Sequence, residues 1–303
     1  MKSDLNELTY LITGMRDAYT KGENAMAWAR GNISRKENLL FSTLVAYDLQ
    51  AGSYVASARK NPDYANQWCG QLASFIRPYI GSGDSLLEVG VGEATTLSGV
   101  LKLFDSENIN ALGLDVSWSR IKVGQEWVAQ NSVNAKLFVG DLFRIPLADN
   151  SVDVIYTSHS LEPNGGKELA AITELLRVAR KAVVLIEPIY ELATELAQKR
   201  MLGHGYVSGL KSIAEKLGNV VEYGLLDVCD NPLNPSGVIL ITKKNLVQKN
   251  KDDVKISWQC PFTASPMTDQ SDIFLARQVG IAYPVVRGVA MLRAEHSIVA
   301  SLI

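Results

Sequence analysis

Cysteine is scarce in this 303-residue chain, and its three copies, Cys69, Cys229 and Cys260, stand far apart with no CxxC pair. That spacing excludes a disulfide framework and points to separate thiols in a reducing, cytoplasmic setting. Histidine is equally sparse, at His159, His204 and His296, so a histidine-rich metal centre is not expected. Lys and Arg form no long runs and the net charge is only -2, which argues against broad charge-driven binding to nucleic acid or to a membrane surface. No apolar run approaches the roughly 20 residues of a membrane helix. The first residues, Met1-Lys2-Ser3-Asp4-Leu5, contain no apolar core of a secretory signal. Hydrophobic residues make up 47% of the chain, enough for a sizeable buried core.

Residues 1–80 read as helical. Leu5, Leu8, Leu11 and Ile12 recur at helical spacing, as do Leu39, Leu40, Thr43, Leu44 and Tyr47. Asn61-Pro62-Asp63 opens a further helix through Trp68, Leu72, Phe75 and Ile76. This segment is expected to cap the domain that follows.

From Ser85 the pattern changes to short apolar runs alternating with amphipathic stretches. Strands are expected at 85–89, 111–114, 135–139, 152–156, 182–186, 220–226 and 238–242. Helices are expected at 95–104, 119–130, 166–180, 189–200 and 210–217. Apolar strands alternating with helices imply an α/β fold, a doubly wound and mostly parallel sheet of seven strands. The last two strands are joined by Asn231-Pro232-Leu233-Asn234-Pro235-Ser236-Gly237, which has no room for a helix, so the last strand should run antiparallel. Residues 81–245 form this domain, 246–255 read as a polar, lysine-rich linker, and 256–303 as a small C-terminal α+β module.

The strongest local signal is Leu86-Leu87-Glu88-Val89-Gly90-Val91-Gly92-Glu93-Ala94, a buried strand running into a glycine-rich turn and a helix. Gly90 and Gly92 allow the backbone to turn sharply and to approach a ligand with no Cβ in the way. Such loops set nucleotide-type cofactors against a helix N-terminus. Asp115 ends the next strand, where a carboxylate can accept both ribose hydroxyls. After the third strand come Asp141, able to accept an adenine amino group, and Leu142, offering an amide and an apolar contact.

These residues resemble the class I S-adenosylmethionine (SAM)-dependent methyltransferases over roughly 80–243. The resemblance includes Pro146-Leu147-Ala148-Asp149-Asn150-Ser151-Val152-Asp153, which is similar to the family's lead into its fourth strand. It implies a Rossmann-like fold with SAM as cofactor, Glu88 ordering the methionine end, Asp115 on ribose and Asp141 on adenine. The chain departs from the family where Pro163 replaces a common histidine and where the usual Pro-Gly-Gly turn before strand five is missing.

On the acceptor side, His159 follows strand four and is the candidate general base, against the reading of a structural loop residue. Tyr47 and Tyr54 are candidates to close over cofactor or acceptor, against plain helix packing. Glu187, ending strand five, should shape the acceptor pocket. His204, between Gly203 and Gly205, sits in a candidate mobile lid, against the reading of a flexible surface connector. Trp118 reads either as an adenine neighbour or as a helix-start residue.

In the C-terminal module, Cys260-Pro261-Phe262-Thr263 and Tyr283-Pro284-Val285-Val286-Arg287-Gly288 resemble the small zinc-ribbon-like activator subunits of methyltransferases. A single cysteine cannot build a tetrahedral zinc site, so a zinc-free version is expected. Here a partner protein or a second copy of the chain would dock.

The leading function is therefore a SAM-dependent methyltransferase acting on O or N of a small-molecule or sugar-like acceptor. The alternatives are an enzyme that methylates RNA or protein, with the C-terminal module as the recognition element, and a non-catalytic SAM-binding protein. Nucleic acid is disfavoured because the Asn/Asp-Pro-Pro-aromatic motif of amino-group methyltransferases is absent after strand four. A dehydrogenase lacks a recognisable nicotinamide-side set.

Overall fold

The computed structural model describes residues 2–32, 40–104, 108–229, 231–243 and 256–302. The expected linker, 246–255, lies wholly outside the described residues. Five helices come first: α1 (Lys2–Thr20), α2 (Ala25–Asn32), α3 (Leu40–Leu49), α4 (Ser53–Lys60) and α5 (Pro62–Ile76). Pro62 occupies the first turn of α5, where its missing N–H costs nothing. The first three helices enclose their own small core around Leu11, Met15, Ala29 and Ala46. By contrast, α5 is not part of this cap: Cys69, Leu72 and Ile76 join the core on one face of the central sheet.

The α/β part alternates as its hydrophobic pattern requires. In order come β1 (Ser85–Val89), α6 (Thr95–Leu103), β2 (Asn110–Asp115), α7 (Trp118–Gln130), β3 (Ala135–Val139), β4 (Val152–Ser158), α8 (Glu168–Val178) and β5 (Ala179–Pro188). They are followed by α9 (Glu195–His204), α10 (Leu210–Leu217), β6 (Asn219–Leu225) and β7 (Ser236–Thr242). The strand order is β6-β7-β5-β4-β1-β2-β3. β1, β2, β3, β4 and β5 pair in parallel, and β7 runs antiparallel to both β5 and β6. Chain order reverses direction at β1, between β2 and β4, which opens a crevice at the carboxyl ends of the strands.

Two boundaries differ from the sequence pattern. The expected helix at 189–200 begins only at Glu195, because Thr194 caps it by accepting the Ala197 amide at 3.3 Å. The expected helix at 166–180 stops at Val178, and Ala179 and Arg180 already belong to β5.

The strand count is the main correction. Residues 256–302 do not stand apart: they add β8 (Thr268–Asp269), β9 (Ile273–Ala276), β10 (Ile281–Val286), β11 (Val289–Met291) and β12 (Ile298–Val299), giving one sheet of twelve strands. β11 lies parallel to β3, Ala290 opposite Phe138 and Met291 opposite Val139. Cys260, Phe274 and Tyr283 are buried in the same core as Leu87 and Ile155. A sheet edge invites pairing, and this segment satisfies the free edge of β3. The turn between β10 and β11 also rests on α7, where Trp118 Nε1 donates to the Val286 carbonyl and Gln125 Nε2 to the Gly288 carbonyl.

Asp153, in the strand-four lead, lies at the opposite end of the sheet from the crevice. It is 2% exposed, accepts the amide and hydroxyl of Ser85 at 2.9 Å each, and is ion-paired with Arg180 and Lys181. Burial works to raise its pKa, but the Ser85 bonds and the two cations outweigh it, and the carboxyl titrates below the ordinary range. A depressed folded pKa stabilises fully above the ordinary carboxylate range and is lost as pH falls through the folded value. Asp153→Asn should therefore cost about 3 kcal/mol in urea unfolding near neutral pH, since it leaves two cations partly unpaired. The gap to the unaltered protein should narrow on acidification; a gap constant with pH would contradict this account. Deleting 256–303 should bare the β3 edge and its apolar neighbours, so that sedimentation detects larger aggregates than the full chain forms.

Candidate active site

The crevice is a cavity of about 640 Å³, roofed by the N-terminal helices and floored by the carboxyl ends of the parallel strands. β1 delivers the glycine loop. Gly90 has φ +78°, and a Cβ there would meet Ser160 Cβ at 2.0 Å. Gly92 has φ +52° and lies against the Tyr54 ring. Both positions need glycine for backbone sign and for space. Both line the cavity.

Asp115, at the end of β2, also lines it and is 5% exposed. One carboxylate oxygen accepts the Gly92 amide at 3.0 Å and the other the Ser117 amide at 2.8 Å. Burial raises its pKa, opposed by these amides and by Arg120. A carboxylate offers about four lone-pair sites, so each oxygen keeps capacity for a further donor. Asp141 Oδ1 accepts the Phe143 amide at 2.9 Å, and Asp141 and Leu142 border the same space. A nucleotide-type cofactor fits this lining: a glycine cradle, a braced carboxylate at the end of β2 and a second acid beside a leucine after β3.

Glu88 departs from its expected role. It is 2% exposed, does not border the cavity, and receives the Tyr156 hydroxyl at 2.7 Å. Burial pushes its carboxyl up to about 8. It braces β1 against β4 from behind the loop.

The neighbouring Glu93 is what the sequence reading missed. It is fully buried, and its two oxygens accept the amides of Gly52 at 2.9 Å and Val55 at 2.8 Å, at the start of α4. A carboxylate there complements the positive end of the helix. One oxygen also pairs with Arg120 at 3.3 Å. Arg120, 1% exposed, donates to Gln50 and lies under the rings of Tyr47 and Tyr54, at 4.8 and 4.2 Å. Both tyrosines line the cavity, so α3 and α4 are clamped over it. An acid after a glycine loop and an arginine in a helix's first turn carry no distinctive spacing, which is why neither stood out.

His159 borders the cavity in a left-handed conformation, φ +55°. Its Nδ1 lies 2.9 Å from Glu162 Oε2 and its Nε2 2.7 Å from Ser236 Oγ. The Trp68 ring meets it edge-on at 5.7 Å. Burial tends to raise the Glu162 pKa, but hydrogen bonds from His159, Tyr206 and Asn234 together hold it below the usual range.

Two acceptor-side expectations are corrected. Glu187 is fully buried and faces the underside of the loop after β4, not the cavity. Its oxygens accept the amides of Ser160, Leu161 and Glu162, each at 3.1 Å, and burial pushes it up to about 7. His204 is not in an open connector: it ends α9, stacks on Tyr206 and does not border the cavity. Trp118 starts α7, and its indole N–H is directed to the β10–β11 turn.

Comparison with known proteins matches residues 86–182 to the family described as a methyltransferase domain. No curated protein matches. Similar solved structures include a putative sarcosine dimethylglycine methyltransferase from Galdieria sulphuraria. It is 15% identical, covering 61% of this chain and 87% of that one, at TM-score 0.47. A SAM-dependent methyltransferase from Aquifex aeolicus is 18% identical, covering 57% and 87%, at TM-score 0.42. A chain from the complex of the Haloferax volcanii Trm112 methyltransferase activator with its putative methyltransferase is 14% identical, covering 66% and 98%, at TM-score 0.49. No described helix is long and apolar enough to cross a membrane. The matched segment contains most of β1, the glycine loop, Asp115 and Asp141, and on that ground it supports a methyltransferase domain whose cofactor is S-adenosylmethionine.

Proposed function

We propose that the chain transfers the methyl group of SAM to an O or N atom of a small-molecule acceptor held between the glycine loop and the N-terminal helices. The observation that carries this reading is Asp115, an acid at the end of β2 that borders the cavity while both its oxygens are braced by loop amides. A pre-oriented carboxylate suits a ribose diol. Asp141 and Leu142 would take the adenine. The acceptor would lie beside Trp68, Tyr64 and His159.

Bound SAM supplies a methyl group already activated by the sulfonium, so the protein's share is alignment, exclusion of water and removal of a proton where the acceptor carries one. Tyr47 and Tyr54, clamped by Arg120, close the roof. His159 is the base, and Glu162, kept ionised, holds its Nδ1.

Asp115→Ala should weaken binding of SAM or its demethylated product by roughly 1.5–3 kcal/mol, the range for hydrogen bonds to a charged group, or about 10–150-fold in Kd by calorimetry. Tight NAD binding without SAM binding would overturn the function. For the roof, Glu93→Gln removes one partner of a buried ion pair, a change that costs about 3–5 kcal/mol. Amide exchange at Gly52 and Val55 should then accelerate by two orders of magnitude or more, roughly one for each 1.4 kcal/mol, while β1 and β4 stay protected. Unchanged protection at both amides would refute the clamp.

A further inference from the structure

His159 is committed at both ring nitrogens. Nδ1 faces Glu162 and Nε2 faces Ser236. An ionised Glu162 can only accept, and it also takes the Asn234 side-chain amide at 3.2 Å. The proton of a neutral His159 ring must therefore sit on Nδ1, leaving the basic lone pair at Nε2. That lone pair is occupied by the Ser236 hydroxyl, which must be the donor. An acceptor molecule cannot give its proton directly to either nitrogen in this arrangement.

Ser236 begins β7 and is itself a lining residue of the cavity. Its backbone amide donates to Cys229 Sγ at 3.4 Å, and its residue is 2% exposed. With its proton directed to Nε2, its oxygen has two lone pairs; the Cys229 thiol faces one at 3.8 Å, and the other is left for a donor from the cavity. Carboxylate, imidazole and hydroxyl thus stand in the order that activates a hydroxyl through an oriented base. No local spacing signals this: Ser236 is 77 residues from His159 in the chain.

We propose that Ser236 is the proton relay between the methyl acceptor and His159. The acceptor's O–H or N–H proton passes to Ser236 Oγ while the Ser236 proton passes to His159 Nε2, leaving an imidazolium paired with the Glu162 carboxylate. The electron pair freed on the acceptor forms the bond to the methyl carbon, and the pair of the broken carbon–sulfur bond stays on sulfur. His159 then acts as the base without touching the acceptor, and Glu162 is a positioning residue that selects the tautomer.

The proposal rests on the methyltransferase reading, and the test separates the two. The full chain, labelled with ¹⁵N and mixed with S-adenosylhomocysteine, is read by long-range ¹⁵N–¹H correlation above the ordinary imidazole range. With three histidines in the chain, His159→Gln assigns the signal. The relay requires the Nδ1–H tautomer with a bare, hydrogen-bonded Nε2. Ser236→Ala should shift the Nε2 resonance away from its hydrogen-bonded position while leaving Nδ1 and the affinity for S-adenosylhomocysteine unchanged. Glu162→Gln should mix the tautomers, because a carboxamide can also donate. An Nε2–H tautomer in the unaltered protein, or an Nε2 resonance indifferent to Ser236→Ala, overturns the relay even if the cofactor product binds. Failure of S-adenosylhomocysteine to bind overturns the function instead, with the tautomer still measurable.

Discussion

The carboxylate of Glu93 ties the cofactor loop to the roof above it. It sits one residue after Gly92, holds the first amides of α4 and pairs with Arg120 from α7. A buried charge is tolerated only when its hydrogen-bonding capacity is filled. Here it is filled by groups from two distant stretches of chain, so the glycine loop that carries it, the N-terminal helices and α7 can reach their native places only together. Tyr47 and Tyr54 border the cavity as a consequence, because both rings pack on the same guanidinium. The interaction couples cofactor geometry to closure of the site.

A second carboxylate does the same for the other wall. Glu187 gathers three successive amides of the loop after β4, which fixes that loop's path and with it the left-handed turn at His159. Non-glycine residues in that conformation carry strain that surrounding structure must hold. Fixing the loop aims the imidazole between Glu162 and Ser236. Buried acids that never border the cavity, Glu88 and Glu187, therefore shape it as firmly as those that do.

The C-terminal segment bears on the cofactor side by a different route. β11 continues the sheet beyond β3, and the Leu292 amide donates to the Val139 carbonyl just before Gly140 and Asp141. The β10–β11 turn holds α7 through Trp118 and Gln125. A segment that reads as an appendage is thereby part of the frame that presents Asp141 and Arg120.

The order of strands and helices from Ser85 to Thr242, the antiparallel last strand, and the positions of Gly90, Gly92, Asp115 and Asp141 were determined by sequence alone. Each rests on a local rule: side-chain period, turn chemistry, or the residue that ends a strand. What Glu88, Glu187 and His204 face was decided only by the tertiary structure, because orientation at a strand or helix end depends on which neighbour supplies the complementary amide or ring. The clamp of Glu93 with Arg120, the Ser236–His159–Glu162 arrangement and the joining of β11 to β3 were likewise settled there. They link residues 27, 77 and about 150 positions apart, and sequence spacing carries no record of hydrogen bonds made across such separations.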